Sequence, residues 1–243
     1  MWHIKTSQKS QKKVHLLRIL SSVLVAVAAL LGAAVPAQAE TAAPSTPLTL
    51  MVQNTDGTWT PVDLDGAGAV RNPDAGAPIG PAEQGPSPML IDFNQWTACW
   101  VQNKSTAVFA TYSWLKPNST YTNVTLQCGN NSYGYKHIVA QNHDDHWNAK
   151  LTAAKNAGWD SQNYRVYTWD DLMHIVTASL LGTAGGYYSE NSTSQKACRN
   201  GSYGLWSTQT HQLVYTFRAE AVWSMNNKRI ITSYPSSRQV CNA

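Results

Sequence analysis

The stretch TAVFATYSWL, residues 106–115, sets Val108, Ala110, Tyr112 and Trp114 at every second position. That is the period of a strand with one buried face. YTNVTLQC (121–128) repeats it with Val124, Leu126 and Cys128. The turn-rich KPNST between them predicts a β-hairpin. The period then changes. Trp147, Leu151 and Ala154 are spaced for one helix face, with Asn142 as a cap, Asp145 three residues on, and Gly158 as a stop. A second helix is predicted from Thr168, with Asp170 and Asp171 in its first turn. Leu172, Ile175, Val176 and Leu180 form its apolar stripe, and Gly182 ends it. His174 lies beside that stripe and is expected to be packed and satisfied. Residues 182–203 predict a long loop. HQLVYTFRAEAVW (211–223) alternates again, and KRIITSYP (228–235) predicts a last strand with Ile230, Thr232 and Tyr234 on one face. MNNK between them predicts a turn. The expected fold is α+β: helices packed on a twisted antiparallel sheet, with an additional β-hairpin before the helices.

The flanks of this pattern differ. Residues 1–39 begin with Lys5, Lys9, Lys12, Lys13 and Arg18, continue into the apolar ILSSVLVAVAALLGAAV, and end in Ala37-Gln38-Ala39. This is the pattern of a signal peptide cleaved after Ala39, so export to the outside of a bacterial cell is expected, with no membrane anchor afterwards. Residues 40–85 are rich in Ala, Pro, Gly and Thr and predict a disordered linker or pro-segment. The folded domain is expected over 86–243.

Composition sharpens two points. Residues 86–243 hold 12 basic and eight acidic side chains, a mild excess that permits a phosphate-bearing partner without requiring one. All four cysteines, Cys99, Cys128, Cys198 and Cys241, fall here. An even count in an exported chain predicts two disulfides, and no CxxC-like spacing suggests zinc. Of three possible pairings, Cys99–Cys128 and Cys198–Cys241 are favoured, since each ties neighbouring segments.

Candidate chemistry concentrates in YGYKHIVAQNHDDHW (133–147). His143 and His146 would share a helix face and could ligate a metal with Asp144 or Asp145. The same HDDH run is a natural polar first turn, with its acids at the positive end of a helix. No GxSxG elbow is present. Metal-free RNA cleavage needs only a proton acceptor for the 2′-OH, a proton donor for the leaving oxygen, and cations around the phosphate. Lys136, His137, Arg218, Thr232 and Tyr234 are the candidate catalytic residues for it, and His143 and Arg199 candidate substrate contacts. No cofactor is expected.

YGYKHIVAQN, TWDDLMHIVTASLL and RIITSYPSS together resemble the C-terminal toxin domains of contact-dependent inhibition proteins. Those are similar to colicin-type tRNA nucleases and have the barnase–EndoU–colicin–RelE-like fold. The resemblance spans residues 133–238. It rests on Lys136-His137 and on the terminal Ile230-Ile231-Thr232-Ser233-Tyr234-Pro235, which correspond to the family's KH element and its closing strand. It implies a secreted, metal-independent endoribonuclease acting on tRNA or other RNA, with a cognate immunity protein as possible partner. The alternatives are a surface- or glycan-binding module without catalysis, a metal-dependent hydrolase using the HDDH segment, and a purely structural domain.

Overall fold

The computed structural model describes residues 47–62, 70–71 and 90–243. The expected signal peptide, and residues 40–46, 63–69 and 72–85 of the expected linker, lie outside the described residues.

The fold is α+β. Its first elements are strands: β1 (Leu48–Gln53), β2 (Trp59–Pro61) and β3 (Val70–Arg71). A short helix, α1 (Phe93–Trp96), runs on as a π-helical turn through Thr97–Val101. Strands β4 (Val108–Leu115) and β5 (Tyr121–Gln127) form the expected hairpin. Helices α2 (Gly134–Ala140), α3 (His143–Asn156) and α4 (Trp169–Gly182) follow. Strands β6 (Tyr187–Asn191), β7 (Lys196–Ser207), β8 (Gln212–Ser224) and β9 (Arg229–Pro235) close the chain. One nine-stranded sheet runs β2-β1-β7-β8-β9-β5-β4-β3, with β6 also on β7.

Four expectations are corrected. The sheet is mixed, because β5 and β9 pair in parallel at Thr125 and Arg229. The expected hairpin is not the first β-structure: β1, β2 and β3 precede it. The segment expected as a linker contributes β1, which pairs with β7 and buries Leu48, Leu50 and Val52 in the core. Its short apolar alternation was hidden inside a Pro- and Ala-rich context. The expected loop 182–203 holds β6 and the first half of β7. Small and polar residues such as Ser189, Asn200 and Gly201 have low strand propensity, but β7 lies between β8 on one side and β1 and β6 on the other, and the ladder decides.

Trp147, Trp223, Tyr112, Tyr203 and Phe109 are among the largest fully buried side chains. The Tyr112 hydroxyl lies 3.2 Å from His174 Nδ1, so His174 is packed and partnered as expected. Asp171 opens α4 by accepting from the backbone N–H groups of Tyr167 and Thr168. Among the described residues no helix is long and apolar enough to cross a membrane.

Two disulfides, Cys99–Cys128 and Cys198–Cys241, complete the domain. The first closes a loop of 29 residues between the π-helical turn and the end of β5. A double Cys99→Ser/Cys128→Ser variant is expected to lose about 2–4 kcal/mol of stability. Urea midpoints read this directly, and an unchanged midpoint would contradict it.

Candidate active site

The site is built on the register of β7, β8 and β9. Asn200 pairs with Glu220, and Glu220 with Tyr234, so these three side chains form one row across the sheet. Ser202 with Arg218, and Val222 with Thr232, flank that row. A bulge makes this possible. Val222 opposes Thr232 while Trp223 opposes Ile230, which leaves Ile231 as the extra residue. Thr232 and Tyr234 therefore face away from Ile230, not with it as simple alternation predicts. On the other face Ser233 reaches Thr177 of α4.

Glu220 is only 1 % exposed. Its carboxylate accepts from the Tyr234 hydroxyl at 2.7 Å, from Asn200 Nδ2 at 3.4 Å and from Ser236 Oγ at 3.5 Å. A buried carboxylate is costly unless hydrogen-bonded and compensated. Compensation comes through Asn200, whose Oδ1 accepts from Arg218 Nη2 at 2.6 Å, while Arg218 Nη1 donates to Ser202 Oγ at 2.6 Å. Burial and the neighbouring Glu220 both push the Tyr234 hydroxyl up, so it remains a proton donor committed to Glu220.

The helices supply the histidines. Gly129 and Gly134 touch backbone to backbone in the CGNNSYG turn: both have positive φ, and a Cβ on Gly129 would lie 1.9 Å from the Tyr133 carbonyl oxygen. Only glycine fits there, and the tight turn launches α2 directly off β5. Lys136 and His137 thus lie inside α2 rather than ahead of a helix. His137 Nδ1 is 2.7 Å from the Asn131 carbonyl oxygen. A carbonyl can only accept, so Nδ1 carries a proton and Nε2 is the nitrogen left to give or take one. Lys136 Nζ donates to Asn103 Oδ1 at 2.8 Å.

Asn142 takes a left-handed conformation without a side-chain cap, and the chain turns there from α2 into α3. This places His143 against Tyr234, rings stacked at 4.7 Å. Burial first, then the charges of His146 and His137, pulls the His143 pKa down to about 4, with Asp144 opposing. His143 Nδ1 and Thr232 Oγ1 are buried polar atoms without a protein partner, the condition expected beside a ligand site. Among the described residues no group of three His, Cys, Asp or Glu side chains is placed to hold a metal.

The depressed His143 pKa has a consequence for stability. The unfolded chain binds a proton near 6.5 that the folded chain takes up only near 4. Stability therefore rises with pH across that window and is lost as pH falls through it. The difference in urea midpoint between wild type and His143→Gln should shrink between pH 7 and pH 4.5. A pH-independent difference would rule this out.

A cleft of about 420 Å³ adjoins Arg218, lined by Trp59, Lys150, Ser202, Thr216 and Ser236 among others. Arg199 is not part of it. It is 4 % exposed and donates to the carbonyls of Leu180, Thr183 and Leu115. The expectation that Arg199 contacts substrate is corrected: it clamps the C-terminal end of α4, where exposed carbonyls attract a cation. Glu220 and Asn200 were missed. One signal was available, since Arg218 and Glu220, the two charged residues of β8, are spaced for one face of the strand.

Comparison with protein-family models, curated proteins and solved structures found no match for this chain.

Proposed function

We propose that this protein is an endoribonuclease that cleaves RNA without a metal. The observation that supports this most is the cleft beside the Asn200–Glu220–Tyr234 row. Its lining carries two cations, Arg218 and Lys150, several hydroxyls and the Trp59 ring, and includes no acid. A nucleotide offers an anion next to a flat ring, and such a lining suits both. His137, with Nδ1 committed to the Asn131 carbonyl, takes the proton of the 2′-OH on Nε2. The 2′ oxygen attacks phosphorus, the 5′ oxygen departs and takes up a proton, and a 2′,3′-cyclic phosphate remains. Arg218 and Lys150 in the cleft lining offset phosphate charge. His137 and Thr232 lie outside that lining, so this reading has the RNA extend from the cleft past Tyr234 toward α2, where the Thr232 hydroxyl has a proton to donate. The motif resemblance favours tRNA as substrate and an immunity protein as partner.

The test is incubation of the chain with total tRNA in EDTA, in disulfide-bonded and in dithiol-treated form. Cyclic-phosphate products are expected. Intact tRNA in both forms, or cleavage abolished by the chelator, would overturn the reading.

One observation favours a second reading, a surface- or glycan-binding module. Phe93, Trp96 and Trp100 are 78 %, 46 % and 39 % exposed. Their rings lie within 16° of parallel at 6.4 and 6.2 Å. Exposed aromatic patches of this kind mark binding surfaces. On this reading Trp96→Ala/Trp100→Ala abolishes retention on cell-wall polysaccharide. Equal retention of both proteins would dismiss it.

A further inference from the structure

After β9 the chain folds back over β7 and β8 as a strap, Ser236–Cys241. Its grip on the domain comes mainly from backbone groups. Ser236 N–H donates to the Arg218 carbonyl at 2.9 Å. The Arg238 carbonyl accepts from Arg218 Nε at 2.8 Å and from Asn200 Nδ2 at 3.1 Å, and the Gln239 carbonyl accepts from Arg218 Nη2 at 3.1 Å. The side chains of Arg238, Gln239 and Val240 are exposed, so the strap has little apolar anchorage of its own. Its firm tether is the buried Cys198–Cys241 disulfide.

Adjacent Nε and Nη donors of a guanidinium form a fork that matches two oxygens of a phosphate. Here that fork holds two carbonyl oxygens of the strap instead. Ser236, at the root of the strap, also helps to cover Glu220. We propose that the Arg218 fork is a phosphodiester-binding site, that the strap occupies it as an internal surrogate, and that opening Cys198–Cys241 frees it. This rests on the RNA-cleavage reading of the same site and adds its regulation.

The opening step is thiol–disulfide exchange with a dithiol reductant. One reductant thiolate attacks a sulfur of the bridge, and a mixed disulfide forms as the other cysteine leaves as a thiolate. The second reductant thiol then resolves the mixed disulfide. Two electrons pass from the dithiol, which ends as its own disulfide. Both bridge sulfurs are buried, so attack requires the strap to open locally first, and its exposed neighbours make that the accessible route. The device would keep an exported protein closed in an oxidising medium and open it in a reducing one.

The test uses the full chain and a fluorescent 2′-O-methyl RNA oligonucleotide, which binds without being cleaved. Anisotropy titrations compare the oxidised wild type, the same protein in dithiothreitol, and a Cys198→Ser/Cys241→Ser variant. The variant is expected to bind about tenfold more tightly or better, since a closed state lowers apparent affinity by its population. Dithiothreitol should bring the wild type to the same affinity, and Arg218→Ala in the variant should remove the gain. Unchanged affinity in a variant with wild-type near-UV circular dichroism overturns the strap. If that variant does not fold, two glycines inserted between Ser237 and Arg238 slacken the strap with the bridge intact. Tighter binding then supports the proposal and equal binding overturns it. A gain in binding without cleavage of unmodified RNA keeps the strap and refutes the ribonuclease.

Discussion

On the proposed ribonuclease reading, His137→Ala is expected to slow RNA cleavage by roughly 10²–10⁴-fold, the usual contribution of one positioned proton-transfer group. His137 has the features such a group needs. Its ring is held by the Asn131 carbonyl, its tautomer is set by that bond, and α2 is anchored by the Gly129–Gly134 contact. It is only partly buried, so His137→Ala should fold with a nearly unchanged urea midpoint. Single-turnover cleavage of a short RNA separates the chemical step from binding. His146→Ala, at an exposed position of α3, should lose little. His143→Ala should lose less than His137→Ala while disturbing the packing on Tyr234. If all three variants were equally inactive and the wild type needed a divalent metal, the HDDH run would be a metal site and His137 would lose its special role.

The largest stability effect is expected at Trp147. This side chain is fully buried, donates from Nε1 to the Ser233 carbonyl at 3.0 Å, and meets Phe217 edge-on at 6.4 Å. Trp147→Ala should cost about 3–5 kcal/mol, the range for removing a buried aromatic. That is a large share of the roughly 5–15 kcal/mol that holds a domain folded. Trp147→Phe keeps much of the apolar volume and loses the hydrogen bond, so it should cost less. The same bond ties α3 to β9 and thereby sets His143 against Tyr234. Trp147→Phe should therefore also weaken the acid dependence that His143 imparts, since a looser contact desolvates the imidazole less. A loss below about 1 kcal/mol for Trp147→Ala would show that α3 is not held this way.

Strand and helix periods were legible where apolar residues recur without interruption. The β4–β5 hairpin, α3, α4, β8 and β9 all follow from them. An even cysteine number in a chain expected to be exported predicted two disulfides, and the favoured pairing is the one that forms. β1 and β7 were not legible. Leu48–Gln53 is short and set among prolines and alanines, and β7 carries turn-type residues that become buried only because neighbouring strands pair with them.

The site divides the same way. That histidines, a lysine, an arginine and hydroxyls could serve RNA chemistry is a property of residue types, and the sequence by itself determined it. Which of them meet was decided by tertiary structure alone. A single extra residue, Ile231, turns Thr232 and Tyr234 to the face of Glu220 and Arg218, and a bulge depends on cross-strand register that no local pattern records. Arg199, in an expected loop, and Arg218, on an expected strand, were both candidate cations for the substrate, yet one lies under the end of α4 and the other beside a cleft. His143 was readable as part of a polar helix start, and it is one. It also packs on Tyr234, because the left-handed turn at Asn142 sets the direction of α3, and that direction is fixed by what the helix buries rather than by its own residues.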